Sequence, residues 1–90
     1  MASASENMEM LYALRPVTAN TIAAKLSASG GNQVTDPGDL YRETEQNFNF
    51  HVETVDPLAG EGKGYKVTIV VFYEAEQRHV TLTSIIRGVV

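Results

Sequence analysis

Apolar residues change their spacing along this chain, from a helical period to a strand period. In SASENMEMLYALRPVTANTIAAKLSASGG, Ala19, Ile22, Ala23 and Leu26 follow the i, i+3, i+4, i+7 spacing of one buried helix face, as Leu11 and Leu14 do earlier. The stretch is rich in Ala, Leu, Met and Glu, which are good helix formers. Ser3 or Ser5 is placed to cap its start, with Glu6 and Glu9 in the first turns, where the helix dipole favours negative charge. Gly30–Gly31 supplies a stop. Pro16 falls inside the pattern, where it removes a hydrogen bond and clashes with the preceding turn, at a cost of about 3 kcal/mol. The segment is either one helix kinked at Pro16 or two short helices broken near Arg15.

Beyond the glycines, NQVTDPGDLYRETEQ reads as an irregular connection. Asp36-Pro37-Gly38 is its turn signal, and a short helical turn is the most it predicts afterwards. In NFNFHVET the period becomes two: Phe48, Phe50 and Val52 alternate with Asn47, Asn49, His51 and Glu53. After the glycine-rich loop DPLAGEGKG, Tyr65, Val67, Ile69, Val71 and Tyr73 line one face of a second strand. Its other face carries Lys66, Thr68, Val70 and Phe72, so part of that face is expected to be covered too. The short EAEQR hairpin loop leads to a third strand. There Val80, Leu82, Ser84 and Ile86 share one face, with Thr81, Thr83 and Ile85 on the other. The expected fold is α+β, one domain over the whole chain: an N-terminal helix over about residues 4–28, kinked or broken at Pro16, and a connecting loop over about 29–46. That helix packs on a three-stranded antiparallel sheet over about residues 47–90.

Composition narrows the function classes. A chain of 90 residues, 43% hydrophobic and 20% charged, has the makeup of an ordinary globular domain with one modest core. A formal charge of −4 with scattered Lys and Arg argues against nucleic-acid binding, which depends on clustered cations. The absence of cysteine excludes disulfides, thiolate metal sites and thiol catalysis. The apolar run VTIVVFY is far shorter than a membrane span, and MASASENMEM has neither the basic nor the apolar region of a signal peptide.

Candidate chemistry is sparse. GEGKGY, Gly60 to Tyr65, lacks the glycine spacing, the Lys-Ser/Thr ending and the following helix of a phosphate loop, and reads as a strand connection. His51 and His79 fall on the polar faces of two strands separated by a third, so they are expected to be solvated rather than metal ligands. Asp36, Asp39, Glu43 and Glu45 offer oxygen ligands for calcium without the alternating pattern of an EF-hand, and read as a solvated loop. No nucleophile motif surrounds any Ser or Thr. Neither a catalytic nor a metal residue is assigned, and no cofactor or small-molecule substrate is expected.

The order of parts resembles the pilin-like proteins of bacterial type II secretion systems and type IV pili. The likeness is to small minor members of the minor pseudopilin I and PilV type. It rests on SENMEMLYALRPVTANTIAAKLSA as the half of a long helix that packs on a small antiparallel sheet. NFNFHVETV, GYKVTIVVFYEA and RHVTLTSIIRG would be that sheet, and Pro16 the kink common in pilin helices. The resemblance implies a structural subunit, not an enzyme, in the periplasm, held to the inner membrane by an N-terminal helix absent from this chain. Its partners would be sister pilin-like subunits in a hetero-oligomer at a pseudopilus or pilus tip. A helix with one stripe on the sheet would offer its other stripe to partner helices. Met8, Met10, Tyr12 and Val17 are the candidates, with completion of the domain's own core as the alternative role. The competing class is a stand-alone protein-binding module, an adaptor or inhibitor, that offers its loops or a sheet edge to a partner.

Overall fold

Proline and glycine set the course of the first third of the chain. The computed structural model describes residues 4–42, 44–55, 64–73 and 78–88. Helix α1 (Ala4–Tyr12) ends before Pro16, and helix α2 (Ala19–Ala28) begins after it, with a cis peptide bond between Arg15 and Pro16. The Arg15 guanidinium donates to the Tyr12 carbonyl, one of the acceptors that the end of α1 leaves without an intrahelical partner, and to the Leu14 carbonyl just beyond the helix. Thr18 restarts the helix through a capping box: its hydroxyl accepts from the Thr21 N–H at 3.1 Å, and the Thr21 hydroxyl accepts from the Thr18 N–H at 2.9 Å. Of the two arrangements open at Pro16, the chain adopts two short helices.

Four strands follow: β1 (Gly31–Gln33), β2 (Phe48–Val55), β3 (Gly64–Tyr73) and β4 (Arg78–Arg87), in the spatial order β1-β2-β3-β4. β1 runs parallel to β2, and the other neighbours are antiparallel. The expectation of an N-terminal helical segment packed on a three-stranded antiparallel sheet is therefore corrected to two short helices and a four-stranded mixed sheet. The physical reason lies at Gly30, whose positive φ of 93° closes α2 and turns the chain directly into β1. Parallel neighbours need a crossover of a dozen or more residues. The stretch between β1 and β2 is that crossover, and it carries a 3-10 helix, Pro37–Tyr41, at the turn signal after which at most a short helical turn was expected.

The helices and the crossover cover opposite faces of the sheet. Met8, Leu11, Val17, Ile22 and Leu26 pack with Phe48, Phe50, Tyr65, Val67, Ile69, Val71 and Ile86 in the main core. Here α1 lies over β3 and β4, and α2 over β1 and β2. On the other face Leu40 of the 3-10 helix and Val34 enclose Val70, with Phe72 beside them. The second strand's mixed pattern has its cause there: Val70 and Phe72 lie under the crossover, while Lys66 is exposed.

Gly31 lets β1 approach the core rings. A Cβ at this position would lie 2.6 Å from Phe48 Cζ and 2.8 Å from Phe50 Cδ1. Gly31→Ala is expected to cost about 1–3 kcal/mol, because both rings are fully buried and have little room to yield. Urea unfolding followed by circular dichroism measures the loss. An unchanged midpoint would show that β1 does not lie against the rings.

Candidate functional site

The hydrogen-bond phase of the sheet identifies which backbone groups remain on offer. The Val34 N–H donates to the Phe50 carbonyl at 2.9 Å, so Phe50 turns its backbone polar groups toward β1. In antiparallel pairs these groups alternate in direction along each strand. The unbroken β2–β3 register then turns those of Tyr65, Val67, Ile69 and Val71 toward β4. Their partners there are Ile86, Ser84, Leu82 and Val80. The N–H and C=O groups of Thr81, Thr83 and Ile85 consequently point away from β3, along the outer edge of the sheet.

The two edges differ in length and protection. β1 is three residues long, whereas β4 pairs with β3 along ten residues without a bulge. Edge strands are usually blunted by proline, a bulge, inward charge or short length. RHVTLTSIIR has charge only at its two ends apart from His79, and contains no proline. Val80 and Ile85 are about half exposed, at 50% and 56%, on opposite faces of the strand.

Two shallow grooves flank β4 on its α1 side. One, of about 290 Å3, is lined by Met8, Glu9, Tyr12, Leu82, Thr83 and Ser84. The other, of about 210 Å3, lies between Leu11, Tyr12, Arg15 and Val17 on one side and Ile85, Ile86 and Arg87 on the other. The Tyr12 hydroxyl is 3.2 Å from the Ser84 hydroxyl, which ties α1 to the edge strand. Tyr12 keeps 56% of its surface exposed.

The residues singled out from sequence are distributed as follows. Met8 and Val17 are buried in the main core, Met10 is half-buried with its sulfur 3.8 Å from the Ser29 hydroxyl, and Tyr12 is exposed beside β4. The four do not share one outward helix stripe, because the break at Pro16 places Val17 outside α1. His51 donates through Nδ1 to the Val34 carbonyl at 2.9 Å, since a carbonyl can only accept. His79 meets Tyr41 edge-on at 4.9 Å between ring centroids and lies 6.1 Å from Phe72. Asp36 caps the 3-10 helix by accepting from the Gly38 N–H at 2.9 Å, and Asp39 pairs with Arg42 at 3.0 Å. Among the described residues no three His, Asp or Glu side chains gather as metal ligands, and no helix is long and apolar enough to cross a membrane. Glu43, the glycine-rich loop from Asp56 to Lys63, the loop residues 74–77, Ser3 and the last two valines lie outside the described residues.

A sheet edge was expected as the partner surface of the competing class, but the sequence assigned it to no strand and did not reveal the groove beside β4. Alternation shows which face a side chain takes, but not whether a strand has a neighbour on both sides. Comparison of the chain with protein-family models, with curated proteins and with solved structures finds no match.

Proposed function

We propose that this protein is a non-catalytic protein-interaction module that accepts an extended strand along the outer edge of β4. The observation that carries the reading is the ten-residue strand whose Thr81, Thr83 and Ile85 backbone groups face outward, with no proline, bulge or inward charge blunting it among the described residues. Strand addition at such an edge draws affinity from main-chain hydrogen bonds and specificity from alternate side chains. The grooves along α1 supply those side-chain pockets on one face. The resemblance to pilin-like subunits required a helix stripe as the partner surface. With Met8 and Val17 inside the core, the sheet edge takes that place.

A random decapeptide library displayed on phage and selected against the immobilised protein tests this. Selected peptides are expected to shift the amide resonances of Thr81, Thr83 and Ile85 and to lose binding to Thr83→Pro. Proline at this position removes an outward N–H while leaving the β3 ladder, and it is tolerated on edge strands. Peptides that bind elsewhere, or equally well to Thr83→Pro, would defeat the reading.

A further inference from the structure

We infer that the strand seated on β4 is the β4 of a second copy of this chain, paired antiparallel about a two-fold axis near Leu82. The inference rests on the edge reading above and names its partner. Its first support is the parity of the strand. Hydrogen-bonded antiparallel pairing opposes residues that both turn their backbone groups outward, or both inward. Outward groups belong to the odd-numbered residues of β4, so opposed residues must share parity. Arg78 and Arg87, the only formal charges of the strand, differ in parity and lie on opposite faces. No bonded self-register can set one arginine directly opposite the other, and the central registers avoid pairing either with itself. Like charges directly opposite would have destabilised the pair.

The register centred on Leu82 also matches side chains. It opposes Thr81 with Thr83 of the second copy, Val80 with Ser84, and His79 with Ile85. Leu82 meets its own counterpart as a non-hydrogen-bonded pair, the type in which side chains come closest. Threonine pairs and apolar pairs are favourable cross-strand neighbours. Ile85, more than half exposed in the single chain, gains cover.

Position of the groove provides the second support. Leu82, Thr83 and Ser84, which form one wall of the 290 Å3 groove, lie at the two-fold axis. The grooves of both copies therefore meet there, with Met8 and Tyr12 of each α1 on the same face of a continuous sheet. That is the isologous arrangement expected of a symmetric dimer. Among the described residues Glu9 is the one carboxylate lining this groove, and β4 itself has none.

Sedimentation equilibrium of the full chain tests the inference with two double variants at exposed positions. Thr81→Lys with Thr83→Lys opposes lysine to lysine across the axis and is expected to weaken the dimer about tenfold or more. Thr81→Lys with Thr83→Glu opposes lysine to glutamate in the Leu82-centred register and is expected to restore affinity to near that of the unaltered chain. Circular dichroism checks that both variants fold. A chain that stays monomeric at about 1 mM overturns the second-copy inference. If selected peptides still bind the edge, the interaction-module reading stands alone; if none do, both fall. A dimer indifferent to both variants also overturns it, because the contact would then lie elsewhere.

Discussion

Replacing Phe50 with alanine is expected to destabilise the fold by about 3–5 kcal/mol, the usual range for a phenylalanine removed from a core. Phe50 has no exposed surface, and its ring centroid lies 6.1 Å from that of Phe48. One strand away it faces Ile69 across the antiparallel pair, and β1 comes close through Gly31. Strands β1, β2 and β3 thus all depend on this volume. A domain of this length has a total stability of about 5–13 kcal/mol, so the loss removes about a quarter of it or more. The thermal midpoint should fall by about 15–30 °C. Val52, one pleat further along and half-buried, is the internal comparison: Val52→Ala should cost less than half as much. Equal losses at the two positions would show that the core is not centred beneath β1 and α2. Urea titration of the three proteins measures this directly.

Such a hierarchy was partly legible in the sequence. Phe48, Phe50, Val67 and Ile69 announce themselves by strict alternation, and the structure buries all four. β1 was not legible, because Gly31-Asn32-Gln33 has no apolar residue and no period. Its place is fixed by backbone pairing to β2 and by the absence of a side chain at Gly31. The helices show a different limit. Spacing placed Ile22 and Leu26 on one buried face, but for Met8, Met10, Tyr12 and Val17 it left a partner surface and the domain's own core as alternatives, and the structure puts Met8 and Val17 in the core. Once the axis breaks, the helical phase restarts at Thr18, and residues on either side no longer share a face. The β4 edge was hidden for a topological reason. Whether a strand is terminal depends on the order of strands in space, and local pattern carries no record of that order.

Asn49 shows most clearly how burial can run against alternation. By period it belongs with the polar residues of NFNFHVET, yet it is 1% exposed because the crossover closes over it. Its amide donates to the Leu40 carbonyl at 2.9 Å and to the Arg42 carbonyl at 2.8 Å, while its oxygen accepts from Asn32 at 2.9 Å. One side chain therefore holds the crossover, β1 and β2 together. Asn49→Ala is expected to cost about 2–4 kcal/mol, since a buried carbonyl left without a donor costs about 1–3 kcal/mol.

Asn49→Asp keeps the shape and reverses the chemistry, setting a carboxyl group where two carbonyl oxygens need donors. Burial and facing carbonyls disfavour the charged form, so the acid's folded pKa would lie above its unfolded value near 4. A raised carboxyl pKa means that the folded state binds more protons, and stability then falls as pH rises. Below about pH 4 the neutral acid can still donate to one carbonyl, and the Asp variant should be no less stable than the Ala variant. Between about pH 4 and 7 its deficit should grow, while the deficit of Asn49→Ala stays nearly level. Urea midpoints of the three proteins across this range make the comparison. Parallel curves for the two variants would mean that water reaches position 49. The crossover would then rest on the sheet without sealing it, and Leu40 and Val70 would contribute correspondingly less to the second core.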